Sequence, residues 1–283
     1  MSLLNYDWAV ALNLDRLLDE QLGRGRNHVT KAEAMQALTL SATAFNAAAA
    51  RMLRQRRLAR PTRGFFVILR PEDRMSGGPD PARWIDPLAR HIGVDYRVSL
   101  LRAAAFHGSS HQAAQVFQVI VPRQLRRMIV ERQRVEFVYQ AAEAFSQVNR
   151  KPWLDAIKTD AGFAQVAGIE LLLLDAVRYF HRAAGLNGAA QVVHDLGGRA
   201  NPRTLAQATE AYENSVVRRL GYLLEYFGHA RQAARLQPLA RRARSAKPLD
   251  PSVRVVPSLA GSVGVAEDAT WKLHLNVPVE IDE

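Results

Sequence analysis

The sequence has no cysteine among its 283 residues. Disulfides and thiolate-held metal sites are thereby excluded, and the chain suits a reducing compartment. No apolar run approaches the ~20 residues that cross a bilayer. The opening stretch MSLLNYDWAVALNLDRLLDEQ carries acids early and lacks a basic segment followed by an apolar one. No secretion signal is expected from it, and the expected setting is cytoplasmic, with no membrane contact. The patterns GxSxG, GxxxxGK[ST] and GxGxxG are all missing, which removes the nucleophile elbow, the P-loop and the dinucleotide fingerprint. No internal repeat is present.

A local absence is more informative. Between Glu33 and Glu72 there is no acid, yet Arg51, Arg54, Arg56, Arg57, Arg60, Arg63 and Arg70 fall in that interval. A face that is merely solvated normally mixes signs. The whole chain leans the same way, with a net charge of +11 and a sequence pI near 10.5. That balance favours polyanionic partners, nucleic acid ahead of an anionic membrane surface. A hydrophobic content of 48% over this length supports a substantial core in one large or two smaller domains.

Periodicity and punctuation give an element order. Leucines in LDRLLDEQL (14–22) repeat at helical spacing and stop at Gly23. Thr30 and Glu33 have capping-box spacing, and KAEAMQALTL continues as a short helix. Ser41 is a second N-cap, opening a helix expected to run to about Arg57. Pro61-Thr-Arg-Gly64 is a turn, and FFVIL is a strand. Helix, short helix, turn, longer helix and basic hairpin is the order of a winged helix-turn-helix. The Gly-, Pro- and Asp-rich stretch PEDRMSGGPDPARWIDP reads as a linker.

At 100° per residue, Phe45, Ala48, Ala49, Met52 and Leu53 gather on a core face of the 41–57 helix. Thr43, Asn46, Ala47, Ala50, Arg51, Arg54 and Arg57 gather on the other. The outward face is small and hydrogen-bonding at its start and arginine-rich later. A recognition helix enters the major groove with its N-terminal residues, which must let the backbone approach. Thr43 and Asn46 can reach base edges there, and asparagine can pair bidentately with adenine. The arginines suit phosphates, which position without reading sequence. Arg60 and Arg63 beside Gly64 form a basic tip that can ride the backbone or enter a minor groove. The expected DNA-contacting set is Thr30, Lys31, Ser41, Thr43, Asn46, Ala47, Arg51, Arg54, Arg57, Arg60, Arg63 and Gly64.

After the linker the signals mix. DYRVSLLRAAAFHG reads as helix, QVFQVIVP as a buried strand, and MIVERQRVEFVY as one or two strands. Residues 165–184 and 203–227 read as long helices. WKLHLNVPVEI alternates Trp271, Leu273, Leu275, Val277, Val279 and Ile281 at strand period. With no βαβ rhythm, the fold class is α+β. Gly108-Ser109 ahead of a strand is the setting in which a nucleotidyltransferase holds Mg²⁺ on alternate carboxylates. The strand from Gln115 to Val121 has no acid, and the next one is Glu131, so no catalytic residue is assigned. His107 and His111 have ligand spacing, but Gly108, Ser109 and Ser110 interrupt a helix and nothing completes a ligand set. No metal or cofactor is expected. Arg123, Arg126, Arg127, Arg132 and Arg134 are either edge-protecting charge or a surface for further nucleic acid, tRNA or the toxin, and Arg241, Arg242, Arg244 and Lys247, in a loop before the closing strand, are candidates for added phosphate contacts.

The blocks LTLSATAFNAAAARMLRQRRLARPTRGFFVILRP, DYRVSLLRAAAFHGSSHQAAQVFQVIVPRQ, VRYFHRAAGLNGAAQVVHDLG and YENSVVRRLGYLLEYFG resemble the AbiEi family. Its members are the antitoxins and transcriptional autoregulators of type IV toxin–antitoxin systems. The resemblance runs from about residue 12 to the closing strand. It implies a winged helix-turn-helix followed by a larger mixed α/β antitoxin domain. It further implies repression through inverted repeats upstream of the protein's own operon, and a nucleotidyltransferase-type toxin countered without a stable complex. Family members often carry more Lys and Arg early in the recognition helix than Ala42, Ala44, Ala47 and Ala50 supply. The expected division is 1–72 for DNA binding, 73–84 as linker and 85–283 as antitoxin domain. Two other readings stay open: a winged-helix regulator with an effector-binding second domain, and an RNA-binding protein.

Overall fold

The computed structural model describes residues 3–109, 116–255 and 266–281. In chain order the elements are α1 (Leu3–Gly23), β1 (His28–Thr30), α2 (Lys31–Leu38), α3 (Ala42–Arg54), β2 (Leu58–Thr62), β3 (Phe65–Ile68), α4 (Pro71–Ser76) and α5 (Ile85–Ile92). There follow β4 (Arg97–Val98), α6 (Leu100–Phe106), β5 (Val116–Val121), β6 (Met128–Val130), β7 (Gln133–Tyr139), α7 (Ala142–Val148), β8 (Leu154–Thr159) and β9 (Gly162–Ala167). The rest are α8 (Ile169–Arg178), α9 (Gly185–Leu196), α10 (Pro202–Ala208), α11 (Asn214–Tyr226), α12 (Ala230–Ala240), β10 (Lys247–Pro248), β11 (Glu267–Asp268) and β12 (Leu273–His274). The mixture of helices and sheets is α+β, as expected.

The chain forms two compact units. The first comprises residues 1–96, 115–139 and 156–165, and the second 97–114, 140–155 and 166–283. The division differs from the expected blocks of consecutive sequence.

In the first unit, local chemistry sets the helix starts. Thr30 Oγ1 accepts from Glu33 N at 3.1 Å, and Thr30 N donates to Glu33 Oε2 at 2.8 Å. This box satisfies two amides that a helix start would otherwise leave orphaned. Thr39, at φ 50, ends α2, and Ser41 Oγ then accepts from Ala44 N to open α3. The hairpin β2–β3 pairs Thr62 with Phe65, and β3 also pairs antiparallel with β1, in the order β1–β3–β2. Leu14, Leu17 and Leu18 of α1, Phe45, Ala48, Ala49 and Met52 of α3, and Phe66 and Ile68 of β3 make one core. Each large side chain fully buried there contributes about 1.5–3 kcal/mol, and the alanines let helices approach closely. A second sheet in this unit pairs β6 antiparallel and β5 parallel to β7. From Phe117 to Val121, β5 is buried continuously, Gln118 included.

The stretch expected to be a linker, 73–84, is structured. Asp73, Pro81, Ala82 and Trp84 are buried. Arg83 pairs with Asp73 at 3.1 Å and with Asp160 at 2.8 Å. Gly77 and Gly78 serve close approach. Arg132 N donates to Gly77 O at 2.8 Å, and a Cβ on Gly78 would lie 2.8 Å from Val130 O. Composition alone cannot tell glycines of a hinge from glycines that receive a neighbouring turn.

In the second unit, α8 carries four leucines, Leu171 to Leu174, all buried. Gly221 of α11 lies against the Trp271 indole, where a Cβ would overlap the ring. Three expectations are corrected. The helix over 165–184 starts only at Ile169, since Gly162–Ala167 is strand β9, and it ends at Arg178. The helix over 203–227 is two helices, broken where Tyr212 turns extended (φ −128, ψ 152). Of the closing strand only Leu273–His274 pairs, parallel to β10 and antiparallel to β11. Trp271 and Leu273 are buried, whereas Leu275, Val277, Val279 and Ile281 are half-buried.

Candidate nucleic-acid interface

The capping residues aim α3 so that Phe45, Ala48, Ala49 and Met52 enter the core. Thr43, Asn46, Ala47 and Arg54 are then exposed, with Ala50 and Arg51 half-buried. Lys31, at the start of α2, reaches across to this face. Its Nζ donates to Asn46 Oδ1 at 2.9 Å and lies 5.8 Å from the Phe45 ring centroid. The hydrogen bond restricts the Asn46 rotamer and leaves its Nδ2 without a partner among the described residues. The α2–α3 crossing thus unites two positions fifteen apart in sequence. Thr30 and Ser41 use their hydroxyl oxygens as caps at the same end.

The β2–β3 hairpin turns at Arg63-Gly64. Gly64 has φ 78, a left-handed conformation that favours glycine. Its carbonyl accepts from Lys31 N at 2.8 Å, and the Arg63 carbonyl accepts from His91 Nε2 at 3.0 Å. The tip is therefore held by α2 and α5. Arg60 and Arg63 are exposed on it, and with Arg54 they have no ion-pair partner among the described residues.

Arg57 requires a correction. It was expected on the outward face, but α3 ends at Arg54 and Arg56 reverses the chain at φ 55. Arg57 Nε then donates to Asp15 Oδ1 at 2.9 Å and Nη2 to Asp19 Oδ1 at 2.5 Å. Burial opposes its charge, but the hydrogen bond to Asp19 and the charges of Asp15 and Asp19 raise its pKa above the ordinary arginine value. Arg57 fastens the chain after α3 to α1. Arg56 pairs with Glu131. Farther along the same unit, Arg123 Nη2 donates to Ile92 O at 2.6 Å, and Arg126, Arg127, Arg132 and Arg134 are exposed or half-buried.

The second unit holds a polar cluster that sequence reading did not find. Arg97 and Asp175 are both 0% exposed. Arg97 Nε and Nη2 each donate to the Asp175 carboxylate at 2.9 Å, and Nη2 also donates to Gln140 Oε1 at 2.6 Å. Ser99 Oγ and Tyr212 OH donate to the same carboxylate at 2.7 and 2.6 Å. The guanidinium lies 5.2 Å from the Phe145 ring. Burial and then the Asp175 charge push the Tyr212 phenol well above its ordinary pKa. Every lone pair of the carboxylate is engaged and water is excluded, so the cluster ties β4, α8 and the α10–α11 break together. The visible signal was Asp175 inside LLLLDAV, a run otherwise too apolar to leave it solvated.

Gly108, at φ 89, makes the expected turn, after which Ser109 is buried and donates to Asp195 Oδ2 at 2.6 Å. Burial opposes ionisation of Asp195, but hydrogen bonds from Ser109, His194 and Gln191 lower its pKa below the usual carboxylate value. His107 Nε2 donates to Ala167 O at 2.7 Å; His111 lies outside the described residues. Among the described residues no group of His, Cys, Asp and Glu is disposed to hold a metal, and no helix is long and apolar enough to cross a membrane.

Comparison with known proteins adds the remaining finding. Among solved structures the chain is similar to the RV2827C protein from Mycobacterium tuberculosis, at 17% identity and a TM-score of 0.63, over 93% of this chain and 90% of that chain. At that identity the likeness concerns the fold. No curated protein matches the chain. Residues 97–226 match the model of the AbiEi antitoxin C-terminal domain, a match that begins at Arg97, where the second unit begins. Residues 97–226 of this chain are thus similar to an AbiEi antitoxin C-terminal domain.

Proposed function

We propose that the protein is an antitoxin that also represses its own operon by binding duplex DNA through residues 1–72. The observation that carries the reading is an acid-free stretch of chain running from α3 to the β2–β3 tip. On it Asn46 is oriented by Lys31, with Arg54, Arg60 and Arg63 exposed and unpaired around it among the described residues. The order helix, strand, helix, helix, hairpin, with a three-stranded sheet β1–β3–β2, is that of a winged helix-turn-helix. In this reading Thr43, Asn46 and Ala47 meet base edges. Lys31, Arg51, Arg54, Arg60, Arg63 and the Gly64 backbone meet phosphates or a minor groove, with Thr30 and Ser41 holding the helix ends. Antitoxin activity resides in the second unit, against a nucleotidyltransferase-type toxin and without a stable complex, as the family resemblance implies.

The test is fluorescence anisotropy with the duplex upstream of the protein's start codon against a scrambled duplex, over a salt series. Every phosphate that a variant ceases to neutralise lowers the slope of log affinity against log salt by about 0.9. Arg54→Ala/Arg60→Ala/Arg63→Ala therefore flattens the slope on both duplexes, and Asn46→Ala erodes discrimination by about 1–3 kcal/mol. Equal weak binding of both duplexes, unchanged by either variant, sinks the reading.

A further inference from the structure

The second unit carries an acid-free stretch of its own. Between Glu225 and Asp250 there is no acid, while Arg231, Arg235, Arg241, Arg242, Arg244 and Lys247 fall in the interval. All six are exposed, and none has an ion-pair partner among the described residues. On α12, Gln232, Ala233, Leu236 and Ala240 face the interior. At 100° per residue Arg231 and Arg235 fall within about 40° of one another on the opposite face, a short basic stripe, and Arg242 follows in the turn just beyond the helix end.

This stripe is mounted rigidly. The loop after α12 is held from beneath by cations that take its carbonyls. Lys272 Nζ donates to Ala243 O, Arg218 Nη1 to Ser245 O at 2.9 Å, and Arg219 Nη2 to Pro248 O at 3.1 Å. Asn214 Nδ2 fastens the far end of α12 by donating to Leu239 O at 2.8 Å. The helix that precedes α12 ends in an exposed aromatic. Tyr226, 55% exposed, is the last residue of α11, and the turn at 227–229 leads from it into α12, five residues before Arg231. Tyr226 lies 5.9 Å from the Tyr222 ring, and the two line an open groove of about 390 Å³ with Leu275–Val279. The neighbouring acid, Glu225, accepts a hydrogen bond from Trp271 Nε1.

We propose that this surface binds single-stranded nucleic acid, with phosphates on the arginine stripe and bases on Tyr222 and Tyr226. Cations beside exposed aromatic faces are what a single strand requires, because its bases are free to stack. A duplex hides those faces. Neither phosphate pairing nor stacking reads a 2′-hydroxyl, so RNA and DNA strands bind alike. The site is independent of the duplex-binding face proposed for the first unit.

The test is anisotropy of the full-length protein with labelled 12-nucleotide RNA and DNA of mixed sequence, and with the matching duplexes. Arg231→Ala/Arg235→Ala/Arg242→Ala should lower the salt slope on single strands by about 2, at roughly 0.7 per neutralised phosphate. Tyr226→Ala should weaken binding at least about fivefold, and Tyr226→Phe should restore it. Arg54→Ala/Arg60→Ala/Arg63→Ala should leave single-strand binding unchanged, which separates this site from the first. Circular dichroism melts confirm that each variant is folded. Single-strand binding that is abolished in the Arg54/Arg60/Arg63 variant, insensitive to the Arg231/Arg235/Arg242 variant, or, with Arg54, Arg60 and Arg63 already replaced, weaker than duplex binding overturns the proposal.

Discussion

Asp175→Asn preserves side-chain volume and removes the charge that faces Arg97. The carboxylate accepts four hydrogen bonds, two from Arg97 and one each from Ser99 and Tyr212. Asparagine retains one acceptor oxygen and turns an amide donor toward groups that are themselves donors. Arg97 is fully buried and cannot recover hydration. Removing one partner of such a pair costs about 3–5 kcal/mol, against a total stability of about 5–15 kcal/mol. With a urea m-value of about 2–3 kcal/mol/M, a destabilisation near 4 kcal/mol moves the midpoint down by about 1.5–2 M. The assay is urea denaturation followed by far-UV circular dichroism. The double variant Arg97→Met/Asp175→Leu removes both charges and should be less damaged than the sum of the two single variants by several kcal/mol. A midpoint for Asp175→Asn within about 0.3 M of wild type, or strict additivity in the cycle, would refute the idea that this ion pair holds its unit together.

Three other outcomes follow from the geometry. Burial, and then the charge of Arg26, lower the His28 pKa to about 4 from 6.5, so the folded state keeps His28 neutral. The associated stability is complete above pH 6.5 and is lost as pH falls toward 4, by on the order of 2 kcal/mol after allowance for solvent screening. Denaturation at pH 7 and pH 4 in wild type and His28→Gln should show the difference shrinking by that amount in the variant. Gly78→Ala forces a side chain into φ 108 and against the Val130 carbonyl, so a destabilisation of about 1–3 kcal/mol is expected in urea; an unchanged midpoint argues against the close approach. Arg57→Ala should destabilise by about 1–2 kcal/mol because Asp15 and Asp19 no longer have its guanidinium, yet leave the salt slope of DNA binding intact, the reverse of Arg54→Ala.

Much of the first unit was legible because its signals are local. Thr30 with Glu33, Ser41 ahead of an alanine-rich amphipathic run, and Gly64 between two apolar strands each act within a few residues. The core face of α3 followed from the same short period. Arg57 was misplaced because helix end and chain reversal depend on where α1 supplies Asp15 and Asp19, 42 and 38 residues away. The second unit was less legible. An apolar run such as that around 165–184 has the same hydropathy whether it pairs as β9 or coils as α8. The turn at Tyr212 exists to reach Asp175, a partner 37 residues distant. Arg231 and Arg235 of α12 drew no notice in the sequence, because their shared face emerges only once Gln232, Ala233 and Leu236 are seen to face inward.

The first unit draws on three separate stretches, the last ending at residue 165. A chain emerging from the ribosome at about 5–20 residues per second has its N-terminal helices exposed for several seconds before the strand segments that complete their unit are synthesised. Completion of the unit waits for that material, so newly made protein passes through an interval in which Gly77 and Gly78 lack the β6–β7 turn. A fragment ending at residue 84 would remain permanently in that incomplete condition, and a protease cut within 73–84 would part the helices and β1–β3 from the later strands of their unit.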